Sequence, residues 1–162
     1  VCFPQPIVFQ KGNTKYILES LEMNCDHDYV TFFHNVANSK VLHTFRVVKL
    51  VSAFTIDIKM KVLKTQRILY KLENINGCEF LSNPVRLGVI GENYKHLVVN
   101  GSFFKCPIKP NIYYLKSENI LSLIPNIHPP GRFQLSLRVK VAESSQPFNL
   151  EMLLKYNIIR IK

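Results

Sequence analysis

Two pairs of segments alternate apolar and polar residues at every second position, over lengths that suit a β-hairpin with one buried face. In the first pair Phe54, Ile56, Ile58, Met60 and Val62 alternate with Thr55, Asp57, Lys59 and Lys61, and Lys64-Thr65-Gln66 offers a turn before Ile68, Tyr70 and Leu72. In the second, Phe133, Leu135, Leu137, Val139 and Val141 alternate with Gln134, Ser136, Arg138 and Lys140. Ser144 to Pro147 interrupts the run, which resumes through Phe148, Leu150, Met152, Leu154, Tyr156 and Ile158. Such hairpins each need a second layer to cover their apolar face. Tyr16 to Met23, Tyr29 to Val36 and Val41 to Val51 are rich in β-branched and aromatic residues, with polar breaks near Asp26 and Asn38-Ser39; they predict three further strands. About seven strands, mostly in sequential antiparallel pairs, predict an all-β, single-domain antiparallel β-sandwich, with a closed barrel as its rival.

One segment leaves the two-residue period. Leu87, Ile90, Tyr94 and Leu97 fall three or four apart, which is helical spacing. Asn83 suits an N-cap and Pro84 the first helical position, where a missing N–H goes unused. Gly88 and Gly91 weaken the segment, so one short helix between strands is expected. No repeat, low-complexity tract or linker divides residues 1–162, and a chain of this length can bury roughly two thirds of its unfolded surface around one core.

The balance of 47% hydrophobic and 20% charged residues excludes a disordered chain. The most apolar stretch, Val47 to Phe54, is broken by Lys49 and Ser52, well short of the roughly 18 residues that span a bilayer. A formal net charge of +10 attracts acidic partners at long range. Its densest run, Lys59, Lys61, Lys64, Arg67 and Lys71, falls on the outward register of strands and reads as a solvated face. Stacking on nucleic acid would need exposed aromatics between such residues. Phe54, Phe133, Phe148 and Tyr156 lie instead on the apolar register, so no nucleic-acid partner is expected.

Reactive groups are sparse. Glu19 with Glu22, and Asp26 with Asp28, are the closest acidic pairs, and both lie where surface carboxylates are ordinary. No G-x-S-x-G elbow, phosphate-binding glycine loop or H-E-x-x-H helix occurs. His27, His34, His43, His96 and His128 are scattered without metal-ligand spacing, so each is expected to be singly satisfied or exposed. The chain is expected to be no enzyme, with no catalytic residue, metal or cofactor.

Cys2, Cys25, Cys78 and Cys106 make an even set without C-x-x-C spacing. Two disulfides are the simplest reading, against four buried thiols in a reducing compartment, and three pairings stay open. Asn100-Gly101-Ser102 is a glycosylation sequon. The chain opens on Val1, as a mature product freed of its signal peptide would, or a trimmed chain. A secreted, extracellular glycoprotein is expected.

Gly77-Cys78-Glu79-Phe80-Leu81, Phe103-Phe104-Lys105-Cys106-Pro107-Ile108, Tyr113-Tyr114-Leu115, Ile124-Pro125 and Pro130-Gly131-Arg132-Phe133 resemble a secreted insect family of largely uncharacterised proteins. That family includes the chemosensory B proteins and is similar to the ML lipid-recognition domains and the ganglioside activator. The resemblance is good over roughly residues 70 to 142. It implies an immunoglobulin-like, ML-type sandwich and a disulfide joining Cys78 to Cys106, with Cys2 and Cys25 left as the second pair. It also implies a non-enzymatic binding protein for a hydrophobic small molecule, whether lipid, fatty acid, sterol or pheromone-like hydrocarbon. Such a protein would act as carrier or presenter in chemosensory or extracellular signalling, with a receptor or an anionic membrane surface as further partner. The ligand-lining residues would be Phe54, Ile56, Ile58, Met60, Phe133, Leu135, Leu137, Leu150, Met152, Leu154 and Tyr156, with flexible Met60 and Met152 adapting to an irregular ligand. The alternative is a secreted interaction module with a packed core, whose basic surface binds an acidic glycan, membrane or protein.

Overall fold

In the computed structural model, residues 2–38, 42–83, 105–116 and 129–161 are described, residues 2–7 and 9 by their backbone alone. The strands are β1 Cys2–Lys11, β2 Thr14–Cys25, β3 Val30–Asn35, β4 Leu42–Val47, β5 Phe54–Val62, β6 Ile68–Asn76, β7 Asn111–Lys116, β8 Gly131–Val141 and β9 Leu150–Arg160, with one helix, α1 Gly77–Ser82. Both alternating hairpins form. β5 pairs antiparallel with β6, and β8 with β9. All the strand pairings among the described residues are antiparallel. They build a six-stranded sheet in the order β1-β2-β9-β8-β5-β6 and a three-stranded sheet in the order β3-β4-β7. β8 and β5, distant in sequence, lie side by side within the large sheet.

The described residues thus hold nine strands where the periodicity predicts about seven. β1 carries Pro4 and Pro6, which cannot donate to a ladder and argue against a strand. They are tolerated because β1 is an edge. β7 is six residues long, NIYYLK, too short for its alternation to stand out, and it forms by pairing with β4.

β2 shows why its period was hard to read. Leu18 faces Tyr156 and Ser20 faces Lys155, leaving Glu19 as the extra residue of a bulge. One added residue switches the inward parity, so Tyr16 and Leu18 point inward before the bulge and Leu21 after it. The opposite edge, β6, breaks its register with β5 twice and holds Asn74 at φ 55. Asp57 Oδ1 accepts the Asn74 N–H at 2.8 Å. Irregular edges of this kind resist pairing with another chain.

Inward side chains from both sheets form one apolar cluster, including Leu18, Leu21, Phe54, Phe133, Leu154 and Tyr156 from the large sheet and Phe33, Phe45, Val47 and Tyr113 from the small one. The molecule is β-sandwich-like. Asn149, 1% exposed, ties the β8–β9 turn to the β2–β3 turn. Its Nδ2 donates to Asp26 Oδ2 at 2.6 Å and Ser144 Oγ at 2.9 Å, and its Oδ1 accepts the Val141 N–H at 2.7 Å. Asp26 Oδ1 in turn accepts the N–H groups of Asp28, Tyr29 and Val30. A chain break that reads as loop punctuation is therefore a buried polar clamp.

Cys78 and Cys106 are joined, with Cα atoms 5.5 Å apart, so the bridge links α1 on the large sheet to the segment leading into β7. Beside it Val51 and Ile108 exchange backbone hydrogen bonds at 3.0 and 2.9 Å, and the Cys106-Pro107 peptide is cis. The expected second disulfide is not formed, and Cys25 is a free thiol. The register explains it. Cys2 lies opposite Ser20, five residues along β2 from Cys25, a span of about 17 Å at strand rise against the roughly 4–7 Å a disulfide allows between Cα atoms.

A helix not expected from the sequence, α1, precedes the segment whose spacing is helical. Asn76 is the N-cap of α1, its Oδ1 accepting the Glu79 N–H at 3.1 Å, and Asn83 closes the helix by donating its N–H to Glu79 O at 3.0 Å. Asn83 is therefore the C-cap of α1. The helix expected from Pro84 to Leu97, and the Asn100 sequon, lie outside the described residues.

Candidate functional site

The register of the large sheet lines up the proposed ligand-facing residues in transverse rungs across β2, β9, β8 and β5. Leu18, Tyr156, Phe133 and Val62 form the first; Leu21, Leu154, Leu135 and Met60 the second; Met23, Met152, Leu137 and Ile58 the third; Cys25, Leu150, Val139 and Ile56 the fourth. Phe54 follows opposite Val141. All eleven residues named from sequence therefore share one face of three adjacent strands. β6 extends three rungs with Tyr70, Leu72 and Ile75.

Burial is not uniform along this face. Tyr156, Phe133, Leu18, Leu21 and Leu154 are at most 3% exposed, and the Phe133 and Tyr156 rings stack with centroids 5.9 Å apart, while Val62 at the end of the first rung is partly buried. In the third and fourth rungs Met152, Ile58, Leu150 and Ile56 are buried. Leu137 and Val139 are only partly buried, as are their rung partners Met23 and Cys25, although Leu135 and Val141 on the same strand are buried. β8 is a central strand, so this is an apolar inner face reached by solvent in mid-sheet. Residues on β2, with its bulged parity, and on the small sheet were not signalled as site residues by periodicity.

The small sheet adds a polar atom to the interior. His43 on β4 is 0% exposed and stands on the face that carries the buried Phe45 and Val47. Its strand neighbours are Asn35 on β3 and Leu115 on β7. Nδ1 lies 3.1 Å from Asn35 Oδ1, while buried Nε2 has no hydrogen-bond partner. Burial lowers the imidazole from its ordinary 6.5 to about 4, so the ring is neutral at physiological pH. The expectation that each histidine is satisfied or exposed fails here, because strand alternation placed His43 inside.

The remaining titratable groups are occupied separately. Glu19 receives Arg132 Nε and Nη2 at 3.0 and 2.6 Å, and the hydrogen bond and charge of Glu19 raise the guanidinium pKa. Asp28 pairs with Lys49, and Glu22 is exposed. Glu151, 5% exposed, accepts from Asn24 Nδ2 at 3.1 Å and Arg138 Nε at 2.5 Å. Arg138 also lies over the Phe148 ring, 5.2 Å from its centroid. Cys25 Sγ is 3.7 Å from His27 Nδ1. Its thiol pKa is raised by burial, with Asp26 adding to the rise and a hydrogen bond involving His27 opposing it. Burial also raises the Tyr156 phenol well above its usual range. Among the described residues no group of three His, Cys, Asp or Glu side chains is placed to hold a metal ion.

The profile of the family described as "Protein of unknown function (DUF1091)" matches residues 54–135, from β5 through the first half of β8. The chain belongs to this family. The DUF1091 match spans the Cys78–Cys106 bridge and just over half of the 162 residues. No curated protein matches the chain. Among solved structures, the C-terminal domain of wzt is similar at 13% identity and a TM-score of 0.31, over 99% of this chain and 80% of that one.

Proposed function

We propose that this DUF1091 chain is a secreted, non-enzymatic binding protein that holds an apolar small molecule between its sheets, as carrier or presenter. The observation that supports this reading best is the solvent-reached apolar face at Leu137 and Val139 in the middle of the large sheet. Central strands of a fully packed sandwich are normally sealed. Here partly buried Leu137 shares its rung with Met23 and Met152, whose unbranched side chains can refit around an irregular ligand. Each CH2 group buried there contributes about 0.8 kcal/mol, so an extended hydrocarbon needs no charged anchor. The resemblance to ML lipid-recognition proteins, to the ganglioside activator and to chemosensory insect proteins points the same way. An extracellular setting fits the Cys78–Cys106 disulfide and the Asn100 sequon.

The test is displacement of the neutral fluorescent probe N-phenyl-naphthylamine by a fatty acid, a sterol and a long-chain hydrocarbon, beside native mass spectrometry and solvent extraction of the protein as purified. Saturable displacement by at least one of them is expected, reduced in Leu137→Trp, which fills the open rung. No saturable binding by wild type, with no extractable ligand, ends the carrier reading.

A second reading rests on Lys59 and Lys71. They are exposed and stand directly opposite each other on β5 and β6, like charges that a sheet ordinarily separates, with Lys71 also paired to Glu73 at 2.9 Å. It assigns this edge to an acidic glycan, membrane or protein. Salt-sensitive binding lost in Lys59→Glu/Lys71→Glu, and retained in Leu137→Trp, would favour it.

A further inference from the structure

His43 poses a problem that the apolar interior does not solve. A buried hydrogen-bonding atom left unsatisfied costs roughly 1–3 kcal/mol, and native proteins retain few of them. His43 Nε2 is such an atom, on a side chain with no exposed surface. Its surroundings fix what could satisfy it. Nδ1 faces Asn35 Oδ1 at 3.1 Å; a carbonyl oxygen can only accept, so Nδ1 carries the proton. In a neutral imidazole the other nitrogen is then a lone-pair acceptor. The ring is held neutral because burial keeps it well below its ordinary range. On the same face of β4, Phe45 and Val47 belong to the apolar cluster that includes the large-sheet rungs.

We infer that His43 Nε2 is an acceptor that selects, among apolar ligands, those bearing a hydroxyl group: a long-chain or polycyclic alcohol. The hydroxyl donates to Nε2 while the hydrocarbon body lies against the inner face. An ether or a hydrocarbon leaves Nε2 unsatisfied, and an ionised carboxylate presents only acceptors to it. Asn35 is a positioning residue, since it sets the tautomer without touching the ligand. This inference rests on the apolar-ligand reading and narrows its substrate class.

The experiment compares dodecanol, dodecyl methyl ether and dodecane as competitors of N-phenyl-naphthylamine on the intact protein at neutral pH. Wild type is expected to bind the alcohol about tenfold more tightly than either other compound, the worth of one buried hydrogen bond. His43→Phe is expected to bind all three alike, losing the preference for the alcohol. Asn35→Leu, which frees the ring to take its other tautomer, is expected to narrow the gap between alcohol and ether. A merely structural histidine would not produce that shift. Equal wild-type affinity for all three overturns the selective acceptor while leaving the carrier reading in place. An alcohol preference that survives in His43→Phe assigns it elsewhere and also overturns the inference. Failure of all three to displace the probe removes both.

Discussion

Acid should destabilise the ligand-free protein through His43, and the size of the effect follows from its burial. The folded ring titrates at about 4, the unfolded one near the ordinary 6.5. Between these values the unfolded chain binds a proton that the folded state refuses, so stability falls as pH falls. Its strand neighbours Asn35 and Leu115 do not titrate, and burial is the cause of the shift. Going from pH 7 to pH 4.5 should therefore remove about 2 kcal/mol through this one group. The perturbation is His43→Phe, which keeps an aromatic ring in the apolar cluster and discards the ionisable nitrogens. Its neutral-pH stability should equal or exceed that of wild type, because an unsatisfied buried nitrogen is removed while half-buried Asn35 can turn to water. Urea unfolding of both proteins at the two pH values, read by far-ultraviolet circular dichroism, measures the difference. The carboxylates titrate in both proteins, so subtracting the variant's acid loss from that of wild type isolates His43. Parallel acid losses would refute the reasoning, because the histidine would then protonate as readily folded as unfolded.

Other perturbations probe the frame. A Cβ at Gly77 would overlap the Phe54 ring, so Gly77→Ala should cost roughly 1–3 kcal/mol in urea unfolding; Gly77→Ala/Phe54→Leu should recover most of it, and an undisturbed Gly77→Ala would contradict the contact. Cys78→Ala/Cys106→Ala opens a bridge with a sequence separation of 28, and the chain-entropy model puts the loss at about 3 to 4 kcal/mol, measurable as a lowered urea midpoint. Alkylation without reductant, followed by peptide mass mapping, should modify Cys25 and spare Cys78 and Cys106. It should go slowly at neutral pH, because burial raises the Cys25 pKa. A mapped Cys2–Cys25 peptide would refute the β1 register.

Alternation alone made the two long hairpins legible, because burying one face of a strand imposes a period of two whatever the partner is. It therefore showed which residues of Phe54 to Val62, Phe133 to Val141 and Leu150 to Ile158 face inward. It could not register β1, whose prolines are acceptable only at an edge, nor carry the parity of β2 across the Glu19 bulge. The acidic pairs that sequence proximity suggested are divided among separate partners, since neighbours in a chain need not share an environment.

The sequence by itself determined an all-β chain with inward-facing hairpins and a small stock of reactive groups. Tertiary structure alone decided that β8 lies beside β5, that Cys25 stays a thiol while Cys78 meets Cys106, and that mid-sheet Leu137 remains open while His43 is sealed in. The physical reason is that periodicity states which face of a strand seeks burial. Which strand lies alongside, how tightly the opposite sheet closes, and whether a buried nitrogen meets a partner are set by contacts between residues far apart in the chain.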